Sequence, residues 1–271
     1  MFFLIDDFEL KIFFTEANMN FENKDILVTG ASSGIGKAIA IQLLKENCRL
    51  ILLARRIELL EELVNQPQIT NNQPLIIKCD VSKKEEVVSA YKIIEEKFGG
   101  VDAAILNSGV GHTVTVKNYN SLYAEDIFGV NVLGMVYWIE QLLPGFVKKK
   151  SGMIVGVSSL ADNRGFSGSG FYCASKAAAS IYLEGLRVEL KRYGIKVVTV
   201  KPGFVKTPMT EQNDFKMPFL MEPEEAAQII IDGIKKEKRI IQFPWQTVLL
   251  TRFVGLIPGF IYEWLASKTK M

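Results

Sequence analysis

The chain has 271 residues, 48% of them hydrophobic, enough to bury the core of one large α/β domain or of two small ones. Its 32 basic and 30 acidic residues leave a net charge of +2, which excludes the strongly basic surface of a typical nucleic-acid-binding protein. Its three cysteines are widely spaced and form no CxxC pair, so we expect a reducing, cytoplasmic compartment and no metal site.

The first residues are not typical of a secretory signal. The apolar run 2–5 is short, and acidic residues follow where a signal would continue its apolar stretch. Met19 opens a more usual start, directly before the first predicted strand. We therefore treat residues 1–19 as an N-terminal appendage, and the hypothesis for residues 1–18 is an added segment or a misassigned start.

From residue 20 onward, short β-branched runs alternate with helical periodicity. The runs predict strands at 26–29, 50–54, 75–79, 103–106, 153–157 and 197–200. The stretches between and after them predict helices at 35–46, 87–98, 124–143, 172–193 and 224–234. This alternation predicts a single α/β domain at 20–243, a Rossmann-type, doubly wound parallel sheet with helices on both faces.

A glycine-rich loop at 29–36 follows the first predicted strand and opens the first predicted helix. Glycines let the backbone turn tightly and approach a pyrophosphate, while the helix N-terminus supplies unpaired N–H groups. The alternative is a tight turn without a ligand, but the position at the first strand-helix junction favours a nucleotide site. The residues predicted to bind the cofactor here are Gly30, Ser32, Ser33, Gly34, Ile35 and Gly36.

The second predicted strand ends at Ala54 and is followed by Arg55. A site that prefers NAD(H) would place a carboxylate near this point to hold the ribose hydroxyls. Alanine cannot do so, and an arginine can pair with the 2′-phosphate instead. Arg55 therefore favours NADP(H) over NAD(H), the alternative being an exposed arginine at a helix start.

Tyr172 and Lys176 lie four residues apart in a predicted helix and so share one face. A free phenol has a pKa near ~10, and a nearby ammonium would lower it toward the range useful for proton transfer. Ser159 follows a predicted strand end, where its hydroxyl could hydrogen-bond a substrate oxygen or simply cap the strand. These residue types suit the reduction of a carbonyl.

Together these motifs resemble the short-chain dehydrogenase/reductase family, in its compact single-domain branch. The resemblance runs from about residue 24 to about residue 243. It rests on the loop 29–36, Asn131, Ser159, Tyr172, Lys176 and the pair 202–203, in the family's order and spacing. One departure is the run 106–109, which keeps two of the family's four Asn-Asn-Ala-Gly residues.

The resemblance implies a role for each of four catalytic residues. Tyr172 would be the general acid or base, and Lys176 would lower its pKa and hold the nicotinamide ribose. Ser159 would orient the substrate carbonyl, and Asn131 would hold a water that links Lys176 to solvent. Further cofactor contacts implied in the same way are Asp80, Val81, Asn107, Gly109, Pro202, Gly203, Val205 and Thr207.

Two apolar segments remain open to interpretation. Residues 204–222 correspond to the family's substrate lid, and their Phe and Met content indicates either an apolar substrate pocket or ordinary helix packing. Residues 244–271 are rich in aromatic side chains but are interrupted by Arg252 and Pro258. We favour packing on the core or on a second subunit over an interfacial membrane contact for this segment.

The leading hypothesis is an NADP(H)-dependent oxidoreductase. It would move a hydride between the nicotinamide and an apolar ketone, aldehyde or secondary alcohol, with Tyr172 as general acid or base. The alternative is a non-catalytic protein on the same fold that senses the nicotinamide cofactor. The resemblance also implies a homodimer or homotetramer, and the single histidine, His112, is interpreted as a packing or surface residue.

Overall fold

The structure, a computed structural model, describes residues 19–65, 73–213 and 215–268. The hypotheses on residues 1–18 therefore lie outside the described residues. The strands of the described part form one parallel sheet in the order β3-β2-β1-β4-β5-β6-β7. They are β1 (Asp25–Thr29), β2 (Arg49–Ala54), β3 (Leu75–Lys78), β4 (Ala103–Leu106), β5 (Gly152–Val157), β6 (Ile195–Pro202) and β7 (Ile240–Phe243).

Helices connect consecutive strands and pack on both faces of the sheet, as in a doubly wound fold. In the described residues they are α1 (Gly34–Leu43), α2 (Ile57–Val64), α3 (Lys84–Phe98), α4 (Ser121–Phe128), α5 (Gly134–Lys149), α6 (Gly170–Leu190), α7 (Pro223–Lys235), α8 (Trp245–Leu256) and α9 (Gly259–Lys268). A π-helical turn, Gly129–Leu133, joins α4 to α5, so that the helical segment is continuous over Ser121–Lys149.

Two hydrophobic cores lie on opposite faces of the sheet. One packs α1, α2 and α7 against the sheet, and the other packs α3, α5 and α6 against it. All five residues of β1 are buried because helices cover both sides of the strand. The predicted Rossmann-type fold is confirmed.

The order of the strands reverses between β1 and β4, since β2 and β3 lie on one side and β5, β6 and β7 on the other. In an open parallel sheet, such a switch point leaves a crevice beyond the carboxyl ends of the strands, because the connecting helices diverge to opposite faces. The glycine loop after β1 and the segment after β4 both open into this crevice.

Several elements differ from the sequence prediction. Strand β7 and helix α2 were not predicted, because each is short and a charged stretch borders it. The predicted helix 124–143 is longer at both ends and contains the π-helical turn. The cationic runs 148–150 and 235–239 begin in the last turns of α5 and α7.

The aromatic C-terminal segment forms α8 and α9, which do not bury their apolar side chains on the core. Thr247 is the buried residue of α8, and no residue of α9 is buried. Packing on the core of its own chain therefore accounts for little of the apolar surface of this segment, because the outward sides of both helices carry the large apolar groups.

Candidate active site

A cleft of about 550 Å³ lies at the switch point, beyond the carboxyl ends of β1, β4, β5 and β6. Every predicted site residue lines it except Gly36 and Asn131. The predicted residues at its wall are Gly30, Ser32, Ser33, Gly34, Ile35, Arg55, Asp80, Val81, Asn107, Gly109, Ser159, Tyr172, Lys176, Pro202, Gly203, Val205 and Thr207. The tertiary fold thus brings together residues from the segments that follow six different strands.

The glycine loop is compact because two of its positions leave no room for a side chain. Gly30 has a φ of +67°, and a Cβ at Gly36 would lie 2.2 Å from the carbonyl oxygen of Gly30. Asn107 holds the same turn from outside, since its Nδ2 donates to the Thr29 carbonyl oxygen at 3.2 Å. Gly36 is therefore buried beneath the cleft and supports its floor without lining it.

One end of the cleft is basic. Arg55 and Arg56 follow β2 and line the wall next to the glycine loop. Arg56 Nη2 donates to Ser33 Oγ at 3.1 Å, so this side chain already contacts the loop that leads into α1. Sequence reasoning used Arg55 alone and missed Arg56, although the two are adjacent.

Asp80 and Val81 line the cleft shortly after the end of β3, the strand that pairs with β2. The Asp80 carboxylate accepts hydrogen bonds from the backbone N–H and the hydroxyl of Ser82, at 3.0 and 2.7 Å. Its own N–H donates to Glu86 Oε2 at 2.8 Å. These bonds fix the turn in one geometry.

Tyr172 and Lys176 lie one helical turn apart in the first two turns of α6 and face the same cleft. Lys176 is 3% exposed, and its Nζ donates to the Val157 carbonyl oxygen at 3.0 Å. The Nζ atom lies 5.7 Å from the centre of the Tyr172 ring. Because burial disfavours the ammonium, the pKa of Lys176 falls from its usual 10.5 to about 8.

The pKa of Tyr172 differs from the sequence expectation. Burial raises it above its ordinary value, and a hydrogen bond with the Ser159 side chain opposes the rise. The ammonium of Lys176 is itself disfavoured by burial, and its Nζ donates to a backbone carbonyl oxygen. In this geometry, Ser159 is the neighbour that favours the phenolate.

Ser159 lies just past β5, at the start of a short 3-10 turn. Its Oγ accepts a hydrogen bond from the Ala161 N–H at 3.1 Å, so the serine caps this turn as well as facing the cleft. The adjacent Ser158 hydroxyl donates to the Lys176 carbonyl oxygen at 2.8 Å and accepts from Ser180 Oγ at 2.8 Å. Both serines line the cleft, and Ser158 in addition bonds to α6.

Asn131 is buried in the π-helical turn between α4 and α5, 1% exposed. Its Oδ1 accepts from the Val110 N–H at 2.8 Å, and its Nδ2 donates to the Val110 carbonyl oxygen at 3.0 Å and to Ser175 Oγ at 3.0 Å. These contacts tie the segment after β4 to α6 one residue from Lys176. The side chain is therefore a brace behind the cleft.

The segment after β6 closes the other end of the cleft. Val205 pairs with Met221 in an isolated β-bridge, so the residues between them form a loop with a closed base. Thr207 approaches the glycine loop so closely that a Cβ at Gly34 would lie 2.8 Å from its Cγ2. Phe204, directly before this loop, packs edge-on against Phe215 within it, at 5.9 Å between ring centres.

The cleft wall also includes residues that sequence reasoning did not assign. Ser108, Gly111, Met209 and Gln212 lie there, and only the tertiary fold brings them to the site. His112 lines the wall too, with its Nε2 2.7 Å from Asp126 Oδ2. Its ring lies 5.1 Å from the ring of Tyr123, so His112 is a partly exposed packing residue at the edge of the cleft.

A family model for short chain dehydrogenases matches residues 24–217 of the chain. An uncharacterized oxidoreductase of Myxococcus xanthus is 35% identical over 244 residues, which cover 90% of this chain and 96% of that protein. This chain belongs to the short-chain dehydrogenase family. It is therefore an oxidoreductase of the class that acts on CH–OH donors with a nicotinamide cofactor.

Solved structures agree with this fold. A short chain dehydrogenase/reductase from Burkholderia phymatum, in complex with NAD, has a TM-score of 0.79 at 21% identity and covers 86% of this chain and 93% of its own. An alcohol dehydrogenase from Thermococcus sibiricus, complexed with 5-hydroxy-NADP, has a TM-score of 0.72 at 26% identity. That match covers 82% of this chain and 95% of the other.

Proposed function

We propose that this short-chain dehydrogenase is an NADP(H)-dependent oxidoreductase that interconverts an apolar ketone or aldehyde with its alcohol. One observation carries the proposal: Tyr172, Lys176 and Ser159 line the same cleft as the glycine loop and the two arginines after β2. A cofactor that lies along this cleft would reach from the basic end to the tyrosine.

The residues present fit a dinucleotide. The backbone of the glycine loop can be approached closely by a pyrophosphate at Gly30 and Gly34, because these two cleft positions carry no side chain. The N-terminus of α1 faces the cleft and favours a phosphate through its unpaired N–H groups and its dipole. When bound, the nicotinamide supplies or accepts the hydride.

Arg55 and Arg56 support the preference for NADP(H). Two guanidinium groups beside the glycine loop offer paired donors to a phosphate, and the last residue of β2 is alanine, which offers no carboxylate to a ribose. Arg56 already bonds to Ser33, so we assign it to hold the loop and Arg55 to face the 2′-phosphate.

The protein's own groups supply the proton chemistry. Tyr172 gives a proton to the carbonyl oxygen in reduction or takes it from the alcohol in oxidation. Ser159 hydrogen-bonds the same oxygen and holds the phenol, so charge on either oxygen is stabilised. Lys176 has a pKa of about 8 and can therefore exchange a proton near neutral pH beside the tyrosine.

The lid supports an apolar substrate. Phe204 and Phe215 pack together within the segment that closes on the cleft, and Met209 lies at its wall. The same wall carries His112, which offers one polar contact within this apolar surround.

Nucleotide binding tests the cofactor proposal first. We expect Arg55→Ala to weaken NADPH binding by about tenfold or more, because a charge-assisted bond to phosphate is lost, and to leave NADH binding unchanged. Arg192→Ala, which removes an exposed arginine at the far end of α6, is the matched control. Equal affinity of the wild type for NADPH and NADH would refute the preference.

Turnover tests the assigned chemistry. We expect Tyr172→Phe to lower kcat by at least about 100-fold with NADPH affinity retained, because the ring stays and only the acid is lost. Full activity of this variant would remove Tyr172 from the mechanism. If neither NADPH nor NADH bound to the protein, the proposed function would be wrong.

A further inference from the structure

Helices α8 and α9 present a large apolar surface to solvent. Its members are 38–76% exposed, and we call them the C-terminal apolar face. They are Trp245, Leu249, Leu250, Phe253, Leu256, Phe260, Ile261, Trp264 and Leu265. Soluble monomers rarely expose a contiguous apolar patch of this kind unless it contacts a partner or a membrane.

The large apolar side chains of both helices face solvent, which is unusual for a surface helix. A surface helix ordinarily turns its apolar side to the core and its polar side to water. In α8, by contrast, Thr247 is buried at 5% exposed, and Trp245 and Phe253 are 68% and 66% exposed. In α9, Tyr262 faces the protein, where its hydroxyl donates to the Gly165 carbonyl oxygen at 2.6 Å.

The two helices are too short and too sharply bent to cross a bilayer in this conformation. With 12 and 10 residues they are about 18 and 15 Å long, against about 30 Å of hydrocarbon. They meet at an angle of 120° at the break before α9. Within the part of the chain that the structure describes, Ser121–Lys149 is also apolar and long enough to span, but 44% of its apolar window is buried inside the protein.

Charge and tryptophan content distinguish a lipid surface from a second copy of the chain. The segment 244–271 carries three cations, Arg252, Lys268 and Lys270, against the single anion Glu263. Apposition of two such faces would bring like charges together, whereas anionic headgroups complement them. Tryptophan rings and the long stems of basic side chains both favour the bilayer interface.

We propose that the C-terminal apolar face docks on the surface of an anionic lipid bilayer, with α8 and α9 lying in the plane of the interface. The apolar side chains enter the boundary between headgroups and acyl chains. Arg252 and Lys268 remain at the level of the headgroups.

The docking helices are bonded to the loop between Ser159 and Tyr172. Arg164 donates from Nη2 to the carbonyl oxygens of Gly255, at 3.1 Å, and of Ile257, and its guanidinium lies 5.1 Å from the centre of the Tyr262 ring. The loop that carries Arg164 forms part of the path from the catalytic serine to the catalytic tyrosine. Docking therefore places the active-site loop beside the bilayer.

The substrate class follows if the proposed function holds. An apolar ketone, aldehyde or alcohol dissolved in the membrane would reach the cleft without crossing water. This consequence rests on the proposed function, whereas the docking itself does not.

Tryptophan fluorescence tests the docking directly. The chain has three tryptophans, and Trp138 is 1% exposed while Trp245 and Trp264 are on the apolar face. Full-length protein without nucleotide is mixed with vesicles of phosphatidylcholine containing phosphatidylserine. We expect cosedimentation and a shift of the emission to shorter wavelength, as Trp245 and Trp264 leave water.

Two double variants separate this surface from others. Leu249→Ser with Phe253→Ser keeps all tryptophans and should weaken vesicle binding by about tenfold or more, because two large apolar side chains no longer enter the interface. Ile181→Ser with Val188→Ser removes side chains 71% and 76% exposed on α6 and should bind as wild type does. Lys268→Gln should weaken binding to anionic vesicles by about fivefold.

Three results would overturn the proposal. The first is that the wild type stays in the supernatant without an emission shift. The second is that the Leu249→Ser, Phe253→Ser variant binds vesicles as tightly as wild type. The third is that light scattering shows a dimer for the wild type and a monomer for the same variant, while vesicle binding is unchanged. This result would assign the face to contact with a second copy of the chain. Because no substrate is present, loss of the proposed enzyme activity leaves these outcomes unaffected.

Discussion

Replacing Lys176 by methionine is expected to stabilise the folded protein at neutral pH while abolishing the proposed chemistry. The lysine is 3% exposed, and burial lowers its pKa from 10.5 to about 8. Below about pH 8 the ammonium is present in both the folded and the unfolded protein, so the folded state carries the full cost of burying it. Methionine has a similar length and no charge to bury.

The pKa difference gives the size of this effect. Each pKa unit corresponds to about 1.4 kcal/mol, so the fall from 10.5 to about 8 costs the folded state about 3 kcal/mol at neutral pH. Between the two values the unfolded chain binds more protons than the folded one, so the stability of the wild type rises with pH. From about pH 7 to about pH 9.5 the expected gain is about 2 kcal/mol.

Urea unfolding at these two pH values measures the difference. The free energy of unfolding of wild type relative to Lys176→Met should rise by about 2 kcal/mol between them. Loss of the hydrogen bond from Lys176 to Val157 changes the free energy of unfolding by the same amount at both pH values. The phenol of Tyr172 stays protonated throughout, because its pKa is raised above its usual value.

A matched control removes an amine from the surface. Lys191→Met changes the exposed residue that follows α6, and its difference from wild type should be the same at both pH values. If Lys176→Met also kept a constant difference from wild type, burial would not be what lowers the pKa of the lysine. The reasoning on proton exchange at the site would then fail with it.

Three further outcomes test the frame of the site. Gly36→Ala should abolish nucleotide binding in a fluorescence titration, because the new Cβ would lie 2.2 Å from the Gly30 carbonyl oxygen. Asn131→Ala should lower the free energy of unfolding by about 2–3 kcal/mol, since three hydrogen bonds of a buried side chain are lost, and unchanged urea stability would contradict this. Asp162→Asn should lower the free energy of unfolding by about 2 kcal/mol, because Lys201 Nζ, 2.8 Å from the carboxylate, is left as a largely buried charge without its partner. Adding Lys201→Met to this variant should restore part of the lost stability.

Local patterns were sufficient to predict the sheet and most helices. The strand predicted at 103–106 matches β4, because a buried parallel strand requires consecutive apolar residues whatever surrounds it. The glycine loop was found in the same way, since a turn with φ of +67° at Gly30 restricts the residue directly. Strand β7 was missed because four residues beside a charged turn carry too little periodicity.

The electrostatics of the site were beyond the sequence. The spacing of Tyr172 and Lys176 predicts that they share a helix face, and the structure has them one turn apart. The expected lowering of the tyrosine pKa did not follow, because burial, which depends on every neighbouring element, dominates both pKa values.

The sequence by itself determined the family, the doubly wound sheet and the residues that converge on one cleft, because these depend on short-range patterns and on residue types at fixed spacing. Tertiary structure alone decided that Arg56 and His112 join the cleft wall, that Asn131 braces Val110, and that α8 and α9 turn their apolar sides outward. The physical reason is that contact and burial depend on the packing of segments far apart in the chain, which no local pattern contains.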